Sequence, residues 1–147
     1  EQGTADILAQ YCTAKGWKPE RLGNNIWVRS SFWQEGAPIV LLNSHHDTVK
    51  PAQGWATDPF APTWQGARLT GLGSNDAGAS LVSLLAAFEV LSSRPQPYNL
   101  VWAGTAEEEI SGAGGIASVL PQLGPIALGI VGEPTGCQMA VAEKGLM

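Results

Sequence analysis

Cysteine is scarce: the 147 residues hold only Cys12 and Cys137, far apart and with no Cys-x-x-Cys pair. A disulfide framework and a thiolate zinc knuckle are thereby excluded, and reduced thiols in a cytoplasm are expected. Basic residues are few as well. Eight Lys and Arg stand against 13 Asp and Glu, giving a net charge of -5 without any basic cluster. That balance argues against nucleic acid or an anionic membrane as partner, since both reward a basic face. No apolar run is long enough to span a bilayer, and Glu1-Gln2-Gly3-Thr4 lacks the basic-then-apolar pattern of a signal peptide, so a soluble protein is expected. Gly-x-Ser-x-Gly is missing too, which leaves serine-hydrolase chemistry without its motif.

What is present fits one domain: 44% hydrophobic and 14% charged residues are ordinary for a chain able to bury a core. Its organising stretch is Ile39-Val40-Leu41-Leu42-Asn43-Ser44-His45-His46-Asp47, an apolar run suited to a strand buried on both faces that ends in two imidazoles and a carboxylate. His45 and Asp47, two apart, share one side of an extended backbone. Asp47 could then orient the His45 ring and leave its other nitrogen for a metal. Taken alone, a solvated loop histidine explains the motif equally well.

Along the chain, Leu8, Tyr11 and Cys12 at helical spacing predict a first helix, with Thr4 as N-cap and Gly16 as stop. After a turn at Asn24-Asn25, Ile26-Trp27-Val28-Arg29 reads as a short strand making an antiparallel, hairpin-like entry to the central run. Residues 50–66, rich in Pro, Gly and aromatics, read as a long irregular loop. The stretch Gly71-Leu72-Gly73-Ser74-Asn75-Asp76 precedes a helix-forming run, Ala79 to Phe88. A dinucleotide fingerprint is rejected there: Asp76 occupies the sixth position and would repel a pyrophosphate, and Arg68-Leu69-Thr70 is too short and polar for the required strand. Helix capping is a sufficient alternative role for Asp76.

Leu100-Val101-Trp102-Ala103 predicts a second buried strand, running into Glu107-Glu108-Glu109. These glutamates are either solvated or held by a cation. A short helix over Ser111–Leu120 and a third apolar run over Ile126–Val131, ending in Gly132-Glu133-Pro134-Thr135, complete a strand-helix alternation that predicts an α/β fold with a largely parallel sheet. In such a sheet the carboxyl ends of the strands share one edge. His45, Asp76, Glu109 and Glu133 would converge there, and divalent metal is the economical countercharge. The six tryptophans are assigned to packing.

Five ordered motifs carry a resemblance: Ser44-His45-His46-Asp47-Thr48-Val49, Trp55-Ala56-Thr57-Asp58-Pro59-Phe60, Gly71 to Asp76, Thr105-Ala106-Glu107-Glu108-Glu109 and Gly132-Glu133-Pro134-Thr135. The chain resembles the acetylornithine deacetylase and succinyl-diaminopimelate desuccinylase family of co-catalytic zinc exopeptidases. The resemblance implies a three-layer fold with a mixed, largely parallel sheet flanked by helices. It implies two zinc or cobalt ions: His45 and Glu133 bind one, Glu109 the other, and Asp76 bridges them. Asp47 would orient His45, Glu108 would be the general base, and the Asp76-Ala77 bond falls where this family often has a cis peptide. The implied reaction is hydrolysis of an N-acyl amino acid, with N-acetylornithine the expected substrate. A desuccinylase, an N-acetylcitrulline deacetylase, a dipeptidase or a non-catalytic metal-binding domain are alternatives. Ser44 departs from the Gly of many relatives, and Lys50 and Ala77-Gly78 also differ. Residues 1–147 are expected to be the N-terminal part of the catalytic domain, inactive alone. A dimerising lid would be inserted after Gly145, and a last zinc-binding histidine would lie beyond Met147.

Overall fold

A computed structural model describes residues 1–136 and 138–140. Cys137 and the lid position after Gly145 lie outside the described residues. In chain order the elements are α1 (Gln2–Ala14), β1 (Glu20–Leu22), β2 (Asn25–Arg29), β3 (Ile39–His45), β4 (Thr63–Gln65), β5 (Arg68–Thr70), α2 (Gly78–Leu91), β6 (Asn99–Thr105), α3 (Ile116–Leu123) and β7 (Ile126–Val131).

The main sheet has the order β1-β2-β6-β3-β7. β6, β3 and β7 run parallel, while β2 is antiparallel to β6 and to β1. Alternation along the strands divides the side chains between two cores. Ile26, Val28, Leu42, Leu100 and Trp102 pack with Ala5, Leu8 and Cys12 of α1 and Leu81, Leu85 and Phe88 of α2. On the opposite face, Trp27, Ile39, Leu41, Val101 and Ala103 meet Val119 and Leu123 of α3. Helices on both faces make the three-layer α/β fold expected. Phe88 is fully buried and stands edge-on to Trp17 with ring centroids 5.0 Å apart. Burial of such a side chain contributes about 1.5–3 kcal/mol.

Several details differ from the sequence reading. Helix α1 begins at Gln2, so Thr4 lies inside it and caps nothing, whereas Gly16 at φ +78° does end it. β2 does not pair with β3. β6, buried at all seven positions, lies between them, because a strand with no solvated residue needs a neighbour on each side. The 50–66 segment extends into an exposed antiparallel hairpin, β4 with β5. Among the described residues β7 pairs with β3 alone, and residues 127–131 are exposed. No helix among the described residues is long and apolar enough to cross a membrane.

Candidate metal centre

β3 ends at His45, whose neighbours in the sheet are Thr105 at the end of β6 and, two residues back at Asn43, Val131 at the end of β7. Parallel pairing thus delivers three chain exits to one rim. Ser44 and Asn43 secure the third exit: the Ser44 hydroxyl donates to the Gly132 carbonyl at 2.8 Å, and the Gly132 N–H donates to the Asn43 carbonyl at 2.8 Å. Ser44 therefore ties the Glu133 segment to β3. The sequence offered only its departure from Gly as a signal.

His45 is the hub. Its side chain is 1% exposed, and Nε2 lies 3.2 Å from Asp76 Oδ1, 3.7 Å from Glu108 Oε2 and 3.7 Å from Glu133 Oε2. Nδ1 sits 3.1 Å from the Asp47 carbonyl, an atom that can only accept, so Nδ1 carries a proton and Nε2 is the nitrogen facing the carboxylates. Asp47 Oδ1 is farther, at 3.4 Å. The Asp47 side chain has a second job that spacing did not reveal. Its two oxygens accept the backbone N–H groups of Glu108 (3.2 Å) and Glu109 (3.1 Å), holding the acidic turn against β3.

Asp76 is not a helix cap. α2 is capped at Ala77 without a side-chain hydrogen bond, the Asp76-Ala77 peptide is cis, and Asp76 turns towards His45. The three glutamates separate in role as well as direction. Glu107, at φ +59°, bonds its own loop through the Gly114 N–H, while Glu108 and Glu109 face His45. The helix expected from Ser111 starts only at Ile116, because residues 112–115 are taken up in that loop. His46 faces away from this cluster, with Nε2 2.8 Å from the Asn24 carbonyl.

Two triads offer donor atoms mutually within 4.8 Å: His45, Asp76 and Glu133, and His45, Glu108 and Glu109. Electrostatics reflect this crowding. Burial favours the neutral His45 ring, but Glu133, Glu108 and Asp47 outweigh it and raise its pKa above 6.5. Burial, and then the nearby Asp76 carboxylate, raise the Glu109 carboxyl above 4.5. Among the described residues Lys15, Arg21 and Arg29 pair away from this cluster, with Glu89, Asp6 and Glu20. An imidazole nitrogen aimed into several carboxylate oxygens is a donor set that fits zinc or cobalt.

Residues 41–143 match the family described as Peptidase family M20/M25/M40. Among named relatives, the succinyl-diaminopimelate desuccinylase of Xanthomonas campestris is 32% identical over 94% of this chain and 39% of its own length. That of Delftia acidovorans is 27% identical over 94% of this chain and 40% of its own. The solved structure of aminopeptidase PepT from Bacillus cereus matches with a TM-score of 0.62 at 22% identity, covering 86% of this chain and 36% of that one. The chain thus spans about 40% of the length of the relatives it matches.

Proposed function

The chain belongs to Peptidase family M20/M25/M40, and from that premise we propose that it carries most of the metal centre of a hydrolase that cleaves the amide of an N-acyl amino acid. The observation that supports this best is the single buried imidazole facing Asp76, Glu108 and Glu133 within 3.7 Å, with Glu109 alongside. In this reading His45 and Glu133 would hold one ion and Glu109 the other, and Asp76 would serve both. When bound, the ions supply Lewis acidity to the scissile carbonyl and lower the pKa of a coordinated water from about 16 towards about 7.

Glu108 is the general base. Its side chain is 53% exposed, so it can reach an entering water while its backbone is held by Asp47. It takes the proton of the attacking water and returns it to the departing amine, one group serving as base and then acid. Asp47 acts through position, fixing the His45 ring by its carbonyl and the acidic turn by its carboxylate.

The motif wording favours N-acetylornithine, giving ornithine and acetate in arginine biosynthesis in the cytoplasm, with the natural protein a homodimer through a lid. A second reading is favoured by the names of the relatives: N-succinyl-diaminopimelate, releasing succinate. Assaying the natural protein on both substrates separates the two. Glu108→Gln should keep Co2+ binding and abolish turnover on whichever substrate is cleaved. Undiminished hydrolysis by that variant would overturn the role of Glu108.

A further inference from the structure

Glu108 and Glu109 are adjacent, and adjacent residues of an extended chain point to opposite sides. Yet both offer an oxygen to the His45 cluster. The backbone solves this by turning at Glu107, φ +59°, after which the Ser111 N–H bonds the Glu108 carbonyl and the Gly112 N–H bonds the Glu107 carbonyl, each at 2.8 Å. Few non-glycine residues adopt that conformation unaided.

Two side chains hold it. Glu107 Oε2 accepts the Gly114 N–H at 2.9 Å. Asn25, only 1% exposed, accepts the Ala106 N–H at 2.9 Å through Oδ1 and donates through Nδ2 to the Gly114 carbonyl at 2.6 Å and the Leu22 carbonyl at 2.9 Å. Gly114 is thus gripped at both its N–H and its carbonyl. The glycines fit this wrap: a Cβ on Gly112 or Gly114 would run into the Glu107 carboxylate, and one on Gly115 would lie 2.6 Å from the Ala106 carbonyl.

We propose that Glu107 and Asn25 are positioning residues that close a loop of hydrogen bonds around residues 106–114 and thereby turn Glu108 and Glu109 towards the same ions. The inference rests on the hydrolase reading above, but its tests are separable from it. Glu107 acts as a hydrogen-bond acceptor; its charge is dispensable. Asn25 acts through both donors, and an aspartate there cannot replace it.

The test uses the cobalt-loaded natural protein, reading Co2+ affinity, the visible Co2+ spectrum, kcat and KM. Glu107→Ala should lower Co2+ affinity and kcat by about 10- to 100-fold, the range for outer groups that orient metal ligands, with an altered spectrum and little change in KM. Glu107→Gln, which keeps the accepting oxygen, should recover most of both, and Asn25→Asp should behave like Glu107→Ala. An unchanged spectrum and kcat in Glu107→Ala overturns the proposal, as does a Glu107→Gln variant no better than Glu107→Ala. If Asn25→Asp does not fold, hydrogen exchange at the Gly114 amide of Glu107→Ala decides: faster exchange supports the grip and unchanged exchange overturns it. Glu108→Gln is the control. Its inactivity beside an unaffected Glu107→Ala sinks the clamp alone, its full activity removes Glu108 as the general base, and failure of the unaltered protein to bind Co2+ sinks both the clamp and the hydrolase reading.

Discussion

His45 Nε2 lies 3.2 Å from Asp76 Oδ1 although 31 positions separate the two residues. Neither packing nor capping explains that approach, since α2 is capped at Ala77 without a side-chain bond. Removing the carboxylate should therefore cost metal rather than fold. Asp76→Ala is expected to weaken Co2+ binding by at least about ten-fold, the scale at which even outer groups of a metal site register. The urea midpoint of the metal-free protein should not fall, because a crowded anion has been removed. Isothermal titration with Co2+ checks the first, and unaltered affinity would remove Asp76 from the ligand set.

The metal-free protein should lose stability as pH rises. His45 is raised above its ordinary 6.5 by the carboxylates that outweigh its burial, and Glu109 above 4.5 by burial and Asp76. Each binds more protons folded than unfolded, so its stabilisation is complete below the unfolded value and disappears as pH passes the folded one. For Glu109 that window opens at 4.5, for His45 at 6.5. Metal binding must displace the same protons, so the stability added by Zn2+ should grow across this range. Urea midpoints from pH 4.5 to beyond neutrality, with and without Zn2+, test both signs; metal-free midpoints that rise with pH would contradict the assignment.

Cys12 is buried and unpaired, and burial pushes its thiol up to about 11. At pH 8 only on the order of one part in a thousand is thiolate, the reactive form. Its alkylation by iodoacetamide should be about a hundred-fold slower in the folded protein than in urea. Peptide mapping resolves Cys12 from Cys137, and equal rates would show an open helix face.

Phe88 anchors α2 on the sheet, fully buried against Trp17. Truncation to alanine leaves a cavity in the α1/α2 core and should destabilise by about 3–5 kcal/mol. Denaturant unfolding of Phe88→Ala measures it; a loss under about 1 kcal/mol would mean that the core collapses to fill the gap and that Phe88 does not anchor α2.

By itself the sequence determined the apolar runs, the residues at which they end and hence the α/β class, because burial periodicity and strand-end chemistry are local signals. It also pointed to His45, Asp76, Glu109 and Glu133 as residues that would meet at one rim, and the fold does bring them together, whereas the proposed role of Glu108 rests on a family motif. Only the tertiary structure decided that β6 would separate β2 from β3, and that among the described residues β7 would pair with β3, since strand order depends on long-range pairing that composition does not encode. The same holds for Asp47 reaching the amides of Glu108 and Glu109 across 61 and 62 positions, and for Asn25 reaching Gly114 across 89. A hydrogen bond to a distant backbone leaves no periodicity in the chain, so these supports became visible only once the strands had brought their partners together.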